Sequence, residues 1–370
     1  MTRHLDSVPV ALIGYGFAGR TFHAPLISTT PGLHLAVAGS RNADALREAF
    51  PETEVLADPL TAATHPEVEL VVIASPNDTH ARLAEAALRA GKHVIVDKPF
   101  TVTLEEARAL AELAAEEGRL LSVFQNRRWD GDFLALQDVL ASGRLGEVLH
   151  FESHFSRYRP EPRARWRERS VPGGGLWYDL GPHLVDQALQ LFGLPENVHA
   201  WLVCQRPAAE AVDWCHVLLD YGRRKVVLHA SMLVAGGVPR FIVHGTQGSW
   251  IKHGLDTQED QLRAGMAPGS DGWGHDPRPT VLFEGRSGVV MQCGSTPGDY
   301  REYYARVRDA LKRQGPNPVT PMEAVAVMAV IETALHAAEE GRALPLPLTD
   351  CERAAWERED AVAEAVNVAR

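Results

Sequence analysis

Cysteine is scarce in this chain. Four occur in 370 residues, at Cys204, Cys215, Cys293 and Cys351, and no two stand close enough for a CxxC pair. No histidine cluster gives zinc-ligand spacing, so no metal is expected, and the reading is four reduced thiols. Long apolar runs are lacking too. No stretch approaches the ~20 apolar residues that cross a bilayer. The N-terminal MTRHLDSVPVALIGYG has a short apolar run broken by glycines, which suits neither a signal peptide nor an anchor. The expectation is a cytoplasmic protein with no membrane partner. Positive charge is also in deficit, with 37 Lys and Arg against 48 Asp and Glu for a net of -11. A nucleic-acid binder needs a basic face, so nucleic acid is not an expected partner, and the acid excess serves solubility.

What is present is an ordinary globular composition, 45% hydrophobic and 23% charged, in a length that suits about two domains. The first third alternates short apolar runs (Val8–Ile13, His34–Gly39, Leu70–Ala74, His93–Val96, with Leu120–Val123 at an edge) and helical patterns (Arg20–Thr29, Ala43–Phe50, Thr79–Ala90, Leu104–Glu117). That alternation predicts βαβ units and a parallel sheet. After Asn126 the signal changes. Helices are predicted over 130–142 and 176–192. Longer β-type runs are Glu147–Arg157, Val198–Gln205, Trp214–Tyr221, Lys225–Val234, Arg240–Gly245 and Ser249–Lys252. Strands with few helices between them predict a large, mostly antiparallel open sheet in an α+β domain. Residues 254–298, rich in Gly, Pro, Asp and Ser, read as a long loop region with at most a short hairpin. Helices near 300–313 and 322–340 close the chain. The expected division is 1–125 for the domain with the parallel sheet and 126–370 for the α+β domain.

Gly14-Tyr15-Gly16-Phe17-Ala18-Gly19 is G-x-G-x-x-G, directly after an apolar strand and opening a helical segment. In that context the first glycine allows the tight turn and the second lets backbone reach a pyrophosphate. The third lets helix and strand pack closely, with the helix N-terminus facing the negative charge. An NAD binder usually carries an acid at the end of the second strand, bonded to the ribose 2′-hydroxyl. Here Ala38-Gly39 is followed by Ser40 and Arg41. A hydroxyl and a guanidinium suit a 2′-phosphate, which favours NADP over NAD; the alternative is a solvated loop arginine. Ser75, Pro76 and Asn77 follow the third strand and are placed to line the cofactor, while His80 reads as a helix-start residue.

Val94-Ile95-Val96-Asp97-Lys98-Pro99 ends a buried strand with a charged pair before proline, placing Lys98 over a nicotinamide. Further on, Asp179 and His183 are spaced i, i+4 after Gly173-Gly174-Gly175 and would share one helix face. A carboxylate beside an imidazole orients it for general base work. The same pair also reads as a helix N-cap plus a buried histidine.

Taken together, these motifs resemble the glucose–fructose oxidoreductase / inositol dehydrogenase / MocA family (Gfo/Idh/MocA). The resemblance runs collinearly from about Val8 to about Pro347. It includes Asn126-Arg127-Arg128-Trp129-Asp130, Arg157-Tyr158-Arg159-Pro160, Ala164-Arg165-Trp166-Arg167-Glu168, Tyr178–Gln187 and Val212-Asp213-Trp214-Cys215-His216. These blocks are most similar to the NADP-dependent scyllo-inositol 2-dehydrogenase branch. The resemblance implies Lys98, Asp179 and His183 as the catalytic set, and dimers or tetramers formed through the open sheet. One departure is Asp97, where the family's motif has Glu; the charge is kept and a methylene is lost.

The implied chemistry is interconversion of a secondary alcohol on a cyclic polyol or sugar with its ketone. His183, with an unperturbed pKa of ~6.5, suits removal of the hydroxyl proton. Lys98 would stabilise the developing alkoxide and Asp179 would fix the His183 tautomer. Asn126, Arg157, Tyr158 and Trp166 lie in the matching blocks and are candidate substrate residues; Trp166 as core and Arg157 as a sheet-edge charge are the alternatives. Phe22, His23 and Pro25 either floor the cofactor or pack the first helix. Reduction of another aldose or ketosugar keeps the same fold and site. A non-catalytic NADP- or sugar-binding regulator would have no need of Lys98, Asp179 and His183.

Overall fold

Six apolar runs, each stopped by glycine or a polar turn, form the parallel strands of the first unit. They are β1 (Val8–Ile13), β2 (Leu33–Gly39), β3 (Glu54–Leu56), β4 (Leu70–Ile73), β5 (His93–Val96) and β6 (Leu121–Val123). The computed structural model describes residues 7–368, with side chains through residue 359; Met1–Asp6, part of the N-terminal segment read for a targeting signal, lie outside the described residues. All pairs are parallel in the order β3-β2-β1-β4-β5-β6. This is a Rossmann order, with its reversal between β1 and β4. β4 is buried at every residue, as strands covered on both faces must be.

A five-residue π-helical turn (Gly19–His23) leads into α1 (Ala24–Thr29), so the helix expected over Arg20–Thr29 is α-helical only in its second half. Next come α2 (Ala43–Ala49), α3 (Pro59–Ala63), α4 (His80–Arg89) and α5 (Leu104–Glu116). Asp58 caps α3 ahead of Pro59. Thr103 and Glu106 close a reciprocal capping box on α5. α4 buries Leu83, Ala84, Ala87 and Leu88, the 3–4 spacing of an amphipathic face.

α6 (Gly131–Ala141) carries the chain into the second unit. There α7 (Gly175–Phe192) lies with a sheet of β7 (Val148–His154), β8 (Asn197–Val203), β9 (Trp214–Tyr221), β10 (Arg224–Ser231), β11 (Pro239–Gly245) and β12 (Gly248–His253). The region expected as loop holds α8 (Gln258–Arg263) and the hairpin β13 (Thr280–Glu284) and β14 (Val290–Cys293). α9 (Arg301–Leu311), α10 (Pro321–Glu340) and a third closing helix, α11 (Asp350–Val368), follow. The sheet order is β14-β13-β12-β11-β7-β10-β9-β8, antiparallel except for β7 with β10. One face is dry: Phe151, Phe241, Val243, Val217 and Leu228 are fully buried, and Phe151 meets Phe192 of α7.

The compact units do not follow chain order. Residues 256–276 and 295–321 belong to the first unit, and 135–255, 277–294 and 322–370 to the second. Hydrogen bonds explain the return. Tyr303 donates to Ser122 Oγ at 2.9 Å, Asn317 Nδ2 to the Leu121 carbonyl at 2.8 Å and Ser122 Oγ to the Val319 carbonyl at 3.0 Å. The first compact unit thus runs from the parallel sheet on to Leu134 and takes in these two later segments. By length and composition alone α10 could cross a membrane, but 67% of that stretch is buried, and Trp177 Nε1 donates to its Ile331 carbonyl at 3.0 Å. It is a core helix of the second unit.

Candidate active site

The strand ends of the first unit converge. Gly39, Ile13, Ile73 and Val96 stand in one row across β2, β1, β4 and β5. The residues just beyond that row are Gly14, Ser40, Arg41, Ser75, Pro76, Asn77 and Lys98. The carboxyl ends of such strands are where an open parallel sheet takes its ligand.

The glycine turn has three distinct jobs. Gly14 has φ +98°, and a Cβ on it would lie 2.7 Å from the Ala74 carbonyl oxygen. A Cβ on Gly19 would overlap the Gly14 carbonyl oxygen, so no side chain fits there. A Cβ on Gly16 would meet no described atom within 4 Å. The turn is thus packed at its two ends and open at its centre, the shape that backbone contact with a pyrophosphate requires. The residues present fit a dinucleotide. Phe17 is 50% exposed beside this opening and rests edge-on against Phe22. Ala18 precedes the π-helical turn.

Ser40 Oγ accepts the Asn42 amide hydrogen at 3.0 Å, which shapes the loop after β2. Arg41 is exposed. Ser75 Oγ is 2.6 Å from Thr79 Oγ1, Pro76 is exposed and Asn77 is buried. Lys98 is half-buried and is joined to Pro99 by a cis peptide. Asn126 is buried in a turn of the same unit.

His80 is more than a helix-start residue. It is buried, with Nδ1 2.9 Å from the Pro99 carbonyl and Nε2 3.0 Å from the Ser75 carbonyl. Its imidazole ties the loop after β4 to the loop after β5. Burial pushes its pKa down, against the pull of Asp97 and the carbonyl groups. His23 is also buried, with Tyr304 at Nδ1 and Asp97 beyond Nε2, so it packs the first unit and does not floor a cofactor. The His23 role has no sequence signal, because Tyr304 lies 281 residues from it.

In the second unit, Gly175 takes φ +88° as the first residue of α7, and Leu176 donates to the Val212 carbonyl at 2.7 Å. The i, i+4 spacing then places Asp179 and His183 on one face of α7. His183 is buried, nearly parallel to Phe155 at 6.5 Å. Asp179 Oδ1 accepts from Arg167 Nη1 at 3.3 Å. The arginine sits over Trp166, which is half-buried and not a core residue. A cleft of about 330 Å³, open solvent included, is lined by Asp179, Arg165, Arg167, Glu168, Arg206 and Asp213, among others. Arg157 places its guanidinium 4.9 Å from the Phe155 ring centre, and Tyr158 is 58% exposed. Burial and the nearby Arg157, Arg163 and Arg165 pull the Arg159 pKa down to about 10.

Arg167 and Arg240 were not among the sequence candidates. Arg167 lay within a matching block. Arg240 had no signal; it is buried and donates to Ser153 Oγ and Gln187 Oε1, both at 2.6 Å, which braces α7 on the sheet. The four cysteines are free thiols, and burial pushes that of Cys215 up to about 12. Among the described residues no group of three or more His, Cys, Asp or Glu stands ready to hold a metal ion.

Two family models match the chain, "Oxidoreductase family, NAD-binding Rossmann fold" over residues 8–125 and "Oxidoreductase family, C-terminal alpha/beta domain" over 137–348. The uncharacterized oxidoreductase YdgJ of Escherichia coli is 50% identical over 343 residues, covering 92% of this chain and 99% of that one. The scyllo-inositol 2-dehydrogenase (NADP(+)) IolW of Bacillus subtilis is 36% identical over 348 residues, covering 93% and 97%. A candidate oxidoreductase from Klebsiella pneumoniae superposes with a TM-score of 0.91 at 53% identity, over 96% of this chain and 99% of that one.

Proposed function

Because this chain belongs to the Gfo/Idh/MocA oxidoreductase family, we propose that it is an NADP-dependent dehydrogenase of a cyclic polyol of the inositol class. A nicotinamide cofactor follows from the NAD-binding Rossmann domain. The choice of NADP and of an inositol is the finer step. It is supported by Ser40 and Arg41 where an acid would serve NAD, and by the likeness to IolW. The observation that carries the reading is the single row of strand ends. It sets the open Gly16 turn, Ser40 with Arg41, Ser75 and Lys98 along one edge of the sheet.

When bound, the nicotinamide supplies the acceptor for a hydride. The chain's own residues manage protons and charge. His183 takes the substrate hydroxyl proton, and Asp179 holds its useful tautomer. Lys98 presents a cation to the substrate oxygen as negative charge grows there. Arg167 holds Asp179 through an ion pair at 3.3 Å. Asn126, Arg157, Tyr158 and Trp166 read the hydroxyls and the C–H face of the ring.

The active form is a homo-oligomer built on the outer face of the eight-stranded sheet. Leu218, Val227, Glu152, Ile242, Ile251 and Val281 stand in one row there, beside a second row of Trp201, His216, His229 and His154. Trp201 is 47% exposed. The five apolar residues of the first row need cover, and a second copy of the same face supplies it.

The test is an NADP-reduction screen of the purified protein across inositol isomers, aldoses and ketoses. Turnover is expected with an inositol isomer and NADP. Turnover only with an open-chain aldose, or only with NAD, would overturn the respective half of the reading.

A further inference from the structure

Asp97 is a buried carboxylate at the end of β5. Such a group stays ionised only where donors converge on it. The Lys98 amide donates to Asp97 Oδ1 at 2.8 Å. From the π-helical turn, His23 Nε2 faces the same oxygen at 3.8 Å, in electrostatic contact but beyond hydrogen-bond length.

The far side of His23 is anchored. Its Nδ1 lies 2.6 Å from the Tyr304 hydroxyl, and Phe124 packs on the ring at 4.4 Å between centroids. With Asp97 ionised, the proton of a neutral His23 belongs on Nε2, and Nδ1 accepts from Tyr304. The direction of every donor is then toward the carboxylate. The groups facing Asp97 are His23, Lys98, His80, Tyr303 and Tyr304. Burial works to raise the Asp97 pKa, but His23, Lys98 and His80 outweigh it, and the carboxyl lies below its ordinary value.

We propose that His23 is a positioning residue for Lys98 that acts through Asp97. The Tyr304-anchored imidazole holds the buried carboxylate in place. The carboxylate in turn fixes the Lys98 backbone and attracts its ammonium group, an attraction that acts equally on both partners. This rests on the reading of Lys98 as the cation beside the substrate oxygen. Asp97 is shorter by a methylene than the family motif's Glu, and the Nε2–H dipole of His23 faces its Oδ1 across 3.8 Å.

The chain has only five lysines, Lys92, Lys98, Lys225, Lys252 and Lys312. Reductive methylation with 13C-formaldehyde therefore gives a spectrum in which Lys98 can be assigned by its loss in Lys98→Met. Asp97→Asn is expected to move the Lys98 titration midpoint about one pH unit lower, with the other four unmoved; Asp97→Glu, which keeps the charge, holds it. His23→Asn keeps a partner for Tyr304 but loses the group facing Asp97. It is expected to lower the Lys98 midpoint by a smaller step and kcat about 10-fold, with the NADP dissociation constant unchanged. His23→Gln, whose amide nitrogen reaches the Nε2 position, restores both.

A Lys98 midpoint equal in Asp97→Asn and wild type overturns the proposal, as do equal effects of Asn and Gln at position 23. Should His23→Asn fail to fold, Tyr304→Phe removes the anchor alone and is expected to lower the midpoint likewise; an unmoved midpoint there overturns the proposal too. The NMR readings need no substrate. If no polyol or sugar is turned over, the dehydrogenase reading falls while these midpoints still decide the role of His23.

Discussion

Gly19 stands so close to Gly14 that a Cβ on the first would overlap the carbonyl oxygen of the second. Gly16, between them, has open space. The two positions therefore separate folding from binding. Gly19→Ala is expected to lower the melting temperature and the cofactor affinity together. Gly16→Ala is expected to leave the melting temperature within a degree or so, because it overlaps nothing in the fold, and to weaken NADP at least 10-fold. Thermal unfolding and NADP titration of both variants check this; intact NADP binding in Gly16→Ala counts against the turn as the pyrophosphate seat.

On the proposed reading, Arg41 sets the choice of dinucleotide. A charge-assisted hydrogen bond contributes about 1.5–3 kcal/mol, so Arg41→Ala is expected to weaken NADP roughly 10- to 150-fold while NAD changes little. Equal losses for the two cofactors, measured by fluorescence titration, would mean that Arg41 is only a solvated loop residue.

His183 and Lys98 are separable by their pH profiles. His183→Ala is expected to cost on the order of 10²- to 10⁴-fold in kcat with NADP affinity near normal, and to remove the acidic limb of alcohol oxidation. Lys98→Met is expected to cost a similar factor and to leave that limb in place. The reverse pattern would make the lysine the base.

Stability should fall on the acid side through His229. The folded chain holds this imidazole neutral down to about pH 4, because burial and then His154 and His216 depress its pKa. The unfolded side chain takes up its proton near 6.5. Unfolding thus absorbs a proton between those values, and the native state loses stability as pH drops from about 6.5 toward 4. Melting temperatures of wild type and His229→Gln across that range are expected to converge at neutral pH and diverge below 6, the variant falling less. Parallel curves would show that His229 is not the group responsible.

The outer sheet face offers a mass measurement. Trp201→Glu puts a charge into its most exposed aromatic position, and light scattering is expected to show a smaller assembly at micromolar concentration. An unchanged mass would place the interface elsewhere.

Much of the architecture could be read from pattern. β1, β5 and β9 begin and end where their apolar runs do, since glycine, proline or a polar turn bounds each. β3 escaped notice because three residues, Glu54–Leu56, carry no period. α8 lies inside a stretch whose glycines and prolines read as loop, and α11 is a polar helix with a weak apolar stripe. In the candidate site, the placement of the glycine turn after β1 and of Lys98 after β5 was legible because it is local in the chain. Arg240 under α7 and Tyr304 behind His23 were not, because burial and partnership arise between residues far apart in sequence.

The segments that return to the first unit bear on how this protein is made. A nascent chain that has emerged as far as Val123 has all six parallel strands, yet β6 still lacks Tyr303, Asn317 and Val319, which bond to it in the finished fold. Until nearly two hundred more residues are synthesised, the Leu121 carbonyl and the Ser122 hydroxyl on that edge strand lack these partners. A fragment ending at residue 125 would therefore lack these partners, which come from a segment that a linear map assigns to the other half.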